Sequence, residues 1–133
     1  MVSNKNNEYD ENNQDDDGFK KINKEVLKKI SGYKQQDKKK KVYDEEQFIK
    51  CEETYKLLMK SGLNCNYCSS KIYILYDNFR DDNQWSLDRI NNDIGHNITN
   101  VCISCLKCNL QRRNKDYDKF KEGKEIKIIK KLD

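Results

Sequence analysis

The chain has no proline, only five glycines, a single tryptophan and a single histidine. It nowhere has a run of 18 apolar residues, which excludes a membrane-spanning helix. No apolar stretch follows Met1-Val-Ser-Asn-Lys-Asn-Asn-Glu, so no export signal is expected. Apolar residues are themselves scarce, 35% against 38% charged, and 133 residues of that composition can bury only a small core. Small cores commonly need a metal or disulfide staple. Six cysteines suit either, but a secreted disulfide protein requires an export signal. The expectation is therefore metal ligation in a reducing, intracellular compartment, cytoplasmic or nuclear.

What is present is charge, and it is segregated. Residues 1–19 carry one Lys against six acids, a net of −5, whereas residues 20–42 carry ten Lys against Glu25 and Asp37, a net of +8. Residues 111–133 carry nine basic and five acidic residues, a net of +4. An acidic tail ahead of a basic block fits a self-screening nucleic-acid-binding arm. The same block also fits an AT-rich coding sequence, which enriches Lys, Asn, Asp and Ile and disfavours proline.

The Asn- and Asp-rich stretch 1–18 has too few apolar side chains to offset the entropy of ordering and is expected to be disordered. Phe19, Ile22, Val26, Leu27 and Ile30 recur at helical period and predict a short amphipathic helix over 19–30. Residues 34–41 read as a lysine-rich linker or arm. The division is thus a charged N-terminal region 1–42, a compact domain 43–122 and a charged tail 123–133. Within the domain, Asp44 and Gln47 resemble a capping box that opens a helix carrying Phe48, Ile49, Thr54, Tyr55, Leu57 and Leu58 on one face, stopped at Gly62. Strands are expected at 72–76, 85–90 and 100–104, and a basic helix at 109–120. Cys51, Trp85 and Cys102 are read as core or packing residues.

Cys65-Asn-Tyr-Cys68 is followed, after 36 residues, by Cys105-Leu-Lys-Cys108. Two such pairs supply the four thiolates of a closed tetrahedral Zn²⁺ site, each gripping the metal from a tight turn. Between and beside them lie Leu87-Asp-Arg-Ile90, Gly95-His96, Asn100-Val101, Asn109 and Arg113.

In this order, those residues resemble the HNH endonuclease family, whose zinc-bound members place Cys-x2-Cys before and after a ββα-metal finger. The resemblance covers about 49 residues, Cys65 to Arg113. It implies an α+β fold, a small zinc-stapled, treble-clef-like ββα domain with a preceding helix. It also implies an enzyme that hydrolyses phosphodiester bonds in DNA with a catalytic Mg²⁺ or Mn²⁺. Asp88 matches the metal-binding acid, Asn109 the helical metal ligand and Asn100 the middle Asn that orients the general base. Arg89 stands where the family has its base histidine; it cannot take a proton, though it can bind phosphate bidentately. His96 lies seven residues later, and its ordinary pKa suits a base that folds back into the site. His96 also reads as a packing residue after Gly95, Asp88 as a loop-fixing carboxylate, and Asn100 and Asn109 as turn and helix-capping residues. Arg112, Arg113 and Lys115 are candidates for phosphate contacts at the helix start. The alternatives are a non-catalytic, zinc-stabilised nucleic-acid-binding module and a zinc-dependent protein-interaction domain.

Overall fold

The computed structural model describes residues 13–132; of the stretch 1–18 expected to be disordered, 1–12 lie outside them, while 13–18 are helical instead. Helix α1 (Asn13–Lys39) comes first, then α2 (Cys51–Lys60), strands β1 (Trp85–Arg89) and β2 (Val101–Cys105), and helices α3 (Leu106–Arg112) and α4 (Tyr117–Leu132). The architecture is α+β, with a two-stranded antiparallel sheet. Among the described residues, no helix is long and apolar enough to cross a membrane.

Helix α1 absorbs the expected short helix, the adjoining 13–18 and most of the lysine-rich segment. The reason is periodicity. Ile22, Val26, Ile30, Tyr33 and Asp37 continue one stripe at three- and four-residue spacing. Val26 and Asp37 are fully buried, while Ile22, Ile30 and Tyr33 pack against the core. Most of the lysines stay on the other side, with Lys34 and Lys38 over the Tyr43 ring, whereas Lys29 turns inward and donates to Gln84 Oε1 and Trp85 O. Lys41, at φ 63°, turns the chain away.

Helix α2 starts later than the expected cap. Asp44 Oδ1 instead accepts from the Glu46 and Gln47 amides and closes a turn. The helix is then opened by Glu53, whose carboxylate accepts the Lys50 N–H. Thr54 and Leu58 face inward, and Gly62 ends the element at φ 65°.

Residues 72–76 do not form the expected strand. They contribute one isolated bridge, Tyr73 to Gln84, and lie in turns beside it. Ile72 is buried but Tyr73 and Leu75 are half exposed, so the apolar run has no second face to bury.

The two other strands appear within a residue of expectation, paired Trp85 to Cys105, Leu87 to Ile103 and Asp88 to Cys102. Paired residues share a face. Trp85, Leu87 and Ile103 therefore lie on one side, and Ser86, Asp88, Cys102 and Ser104 on the other, with Ser86 and Ser104 joined hydroxyl to hydroxyl at 2.9 Å. The expected single helix 109–120 is two. Arg113, at φ 50°, ends α3, and Asp116 starts α4 by accepting the Lys119 N–H. The charged tail from residue 123 is the second half of α4, which returns Tyr117 and Phe120 edge-on to Tyr67.

Candidate metal centre and adjoining cleft

Tight turns present the two cysteine pairs. Cys65 N–H donates to Ser70 O, and Ser69, at φ 64°, reverses the chain past Cys68. Cys105 is the last residue of β2 and the N-cap of α3, so Cys108 follows after the helix's first turn. The four sulfurs lie within 4.8 Å of one another, with Cys68 and Cys105 3.9 Å apart. A tetrahedron of thiolates about 2.3 Å from a zinc ion has edges of about 3.8 Å. Backbone amides of Tyr67 and Cys108 already point at Cys65 and Cys105 sulfur, each at 3.4 Å. All six cysteines are free thiols, and this cluster can hold a metal such as zinc.

The thiols interact strongly. Hydrogen bonds from Cys105 and Cys108 drive the Cys65 thiol well below its usual range. Cys105 is pushed up to about 11, because the Cys65 thiolate and burial outweigh the lowering effect of its Cys108 contact. The remaining cysteines pack: Cys51 half-buried against Asn23, Cys102 against Tyr67, with burial lifting Cys102 to about 11.

Beside this centre, α1 and the β1–α3 pair wall a cleft of about 1040 Å³. Asp88, Arg89, His96 and Asn109 all line it, with Lys29, Lys40 and Arg113. Asp88 is nearly buried on the sheet face toward α3. Its Oδ2 accepts from the Tyr67 hydroxyl and lies 3.1 Å from the Arg112 guanidinium. Burial, with the negative charges of Cys102 and Asp88 adding to it, pushes the Tyr67 phenol far up, so Tyr67 is a donor there. Asn109 donates its amide to Ser86 Oγ at 3.1 Å and Leu87 O at 3.3 Å.

Arg112 departs from its expected surface role. It is buried, and besides Asp88 it donates to Arg89 O, Ile90 O and Lys115 O. Standing in the last turn of α3 against the end of β1, it spends four of its five N–H donors inside the protein and is buried away from any phosphate. Arg113 and Lys115 are exposed, but only Arg113 lines the cleft. Arg89 reaches across the 90–100 loop to Ile94 O at 3.3 Å.

Asn100 is fully engaged with that loop: its side chain accepts from Asn91 N–H and donates to the carbonyls of Asn91, Ile94 and Gly95. It thereby holds the residue next to His96. The His96 ring is buried and stacked on Tyr33, centroids 4.4 Å apart. Both oxygens of Asp37 are spent on His96, one accepting its backbone N–H at 2.7 Å, the other 2.8 Å from Nδ1. Burial lowers the His96 pKa and the Asp37 contact opposes that fall. Asp37 and Tyr33 escaped the sequence reading; their spacing of four, in phase with Ile22, Val26 and Ile30, was the available signal.

The close approach of α1 to this loop depends on Gly95. A Cβ there would lie 2.6 Å from Asp37 Oδ2 and 2.8 Å from Val42 O. Gly95→Ala is expected to lower stability by about 1–3 kcal/mol, the usual cost of overpacking a filled site. The urea midpoint checks it, and an unchanged midpoint would mean that the loop does not bear on α1.

Compared with known proteins, the chain matches no family model, and neither a curated protein nor a solved structure shows a significant match.

Proposed function

We propose that the protein is a zinc-stapled endonuclease of the HNH type, hydrolysing phosphodiester bonds in DNA. One observation carries the reading: a single cleft brings together Asp88, His96 and Asn109 and is rimmed by Lys29, Lys40, Arg89 and Arg113. Four cations against one carboxylate favour an anionic, phosphate-bearing substrate. Burial draws Lys29 down to about 8, the charge of Glu25 opposing, which still leaves it mostly charged at neutral pH.

The fourfold cysteine centre takes Zn²⁺, whose preference for four thiolates in a tetrahedron matches the sulfur spacing. Asp88 Oδ1 and Asn109 Oδ1 are the oxygen donors that would hold Mg²⁺ or Mn²⁺, ions that take one or two protein oxygens beside substrate phosphate and water. Such an ion supplies charge neutralisation at the phosphate. The chain's own residues do the rest. His96 accepts a proton from water as the water oxygen bonds to phosphorus, and the phosphorus–oxygen bond to the departing sugar breaks. Arg89 and Arg113 hold the phosphate, and Asn100 holds the loop that carries the base.

The test is nicking of supercoiled plasmid by the zinc-loaded chain with Mg²⁺ or Mn²⁺. Wild type is expected to nick, and His96→Ala to be slower by about 10²–10⁴-fold, the usual contribution of a general base. Absence of nicking by wild type, or an unchanged rate in His96→Ala, would defeat the reading.

The ion pair of Asp88 with Arg112 favours a second reading, because a carboxylate already neutralised by a buried guanidinium is a weaker cation ligand. That reading is a zinc-stabilised module that binds nucleic acid without cutting it. Its signature is salt-sensitive retention of DNA with no cleavage in any divalent ion.

A further inference from the structure

We propose that Asp37 is the positioning residue of His96: helix α1 supplies a carboxylate that holds the imidazole with its proton on Nδ1 and its lone pair on Nε2. The inference deepens the nuclease reading and rests on it for its functional meaning.

The arrangement is more than a pin between a helix and a loop. To fasten the loop, one bond from Asp37 Oδ2 to the His96 backbone N–H at 2.7 Å is enough. The second oxygen instead meets the ring nitrogen at 2.8 Å. An ionised carboxylate only accepts, so a neutral imidazole in that contact must donate from Nδ1. The proton cannot then sit on Nε2, which is left as the basic atom. A carboxylate placed in this way fixes the tautomer and orientation of a histidine and raises its basicity. Here it also counters the burial that lowers the ring's affinity for protons.

One further contact restricts the ring directly, and two more fix what surrounds it. Tyr33, one helical turn before Asp37, stacks on it at 25° between planes. The Tyr33 hydroxyl accepts from Leu87 N–H, tying this part of α1 to the strand that carries Asp88. Asn100 grips Gly95 O at 2.9 Å, and Gly95 itself leaves room for the carboxylate. An imidazole held by Asp37 and stacked on Tyr33, yet lining the cleft, is preorganised to receive a proton there rather than free to rotate.

His96 is the chain's only histidine, so a long-range ¹H–¹⁵N correlation spectrum of the full, zinc-loaded protein contains a single imidazole. At neutral pH, wild type is expected to show a protonated Nδ1 and an unprotonated Nε2. In Asp37→Asn, the amide oxygen can keep the backbone bond while its NH2 faces Nδ1. That group only donates, so the proton is expected to move to Nε2, and plasmid nicking to fall by at least tenfold.

A wild-type ring protonated on Nε2, or on both nitrogens, would overturn the proposal without any variant. So would an Asp37→Asn protein that keeps the wild-type tautomer or, where the wild type nicks, the wild-type rate. Should the variant not fold, the wild-type spectrum alone decides. A wild-type ring protonated on Nδ1 in a protein that never nicks DNA would uphold the role of Asp37 and defeat the nuclease reading instead.

Discussion

Removing the metal from the four-cysteine centre is expected to unfold the domain, not merely to loosen it. Three of the thirteen buried apolar residues among those described, Cys65, Cys105 and Cys108, belong to the four-cysteine cluster, so a metal held there would sit within the core. It would join a loop that has no regular secondary structure to the point where β2 becomes α3. Structural zinc contributes about 10–16 kcal/mol in small domains, against a total stability of about 5–15 kcal/mol for a folded protein. The remaining core is too small to cover that difference. Trp85, the only tryptophan and fully buried, reports the outcome directly. Chelation is expected to shift its emission to the red, to diminish the far-ultraviolet circular dichroism and to release one zinc per chain. Cys108→Ser should give the same result during expression, whereas the more exposed Cys68 should tolerate serine better. Native dichroism and an unshifted Trp85 in the metal-free protein would show that the staple is dispensable.

The cysteine spacing and the two paired strands were legible in the sequence because each depends on local pattern alone. What depended on distant partners was not. Residues 34–39 read as an arm because their lysines dominate the composition, yet Asp37 lies in phase with Val26, Ile30 and Tyr33 and is buried with them. Conversely, the apolar run 72–76 has the composition of a strand but finds no partner strand along its length, only the single bridge from Tyr73 to Gln84. Hydrophobicity indicates that a segment can be buried; it does not supply the second strand. The break at Arg113 was illegible for a related reason, since arginine at φ 50° is not a residue that announces a stop.

The site divides in the same way. Asp88, His96 and Asn109 share one cleft in an order already visible along the chain. Asn100 turns to the loop before His96, a role that its side-chain chemistry allows from sequence. The carboxylate facing His96 came from outside the motif, where an acid among ten lysines reads as charge balance. Arg112 was misread because its neighbours Arg113 and Lys115 are exposed, and sequence alone does not say which member of a basic run turns inward.

Arg112→Met is accordingly expected to destabilise the fold by about 3–5 kcal/mol, the cost of leaving one partner of a buried ion pair without the other. Asp88 would retain only the Tyr67 hydroxyl on that oxygen, and the carbonyls of Arg89 and Ile90 would lose a donor at the end of β1. A surface arginine that merely touched phosphate would behave differently, shifting stability by no more than about 0.5 kcal/mol and weakening DNA retention instead. Combining Arg112→Met with Asp88→Leu should recover much of the loss, since an apolar pair of similar volume can replace a buried ion pair with little penalty. Denaturant midpoints of the wild type, both single variants and the double variant complete the cycle. A loss below about 1 kcal/mol in Arg112→Met would mean that the guanidinium is not committed to Asp88. The carboxylate would then be open to a divalent ion, so the same measurement bears on the choice between cutting and binding. A large loss, with no stabilisation of the wild type by Mg²⁺, strengthens the binding-only reading. A large loss accompanied by Mg²⁺ stabilisation that disappears in Asp88→Leu means that Oδ1 serves the cation while Oδ2 stays with Arg112.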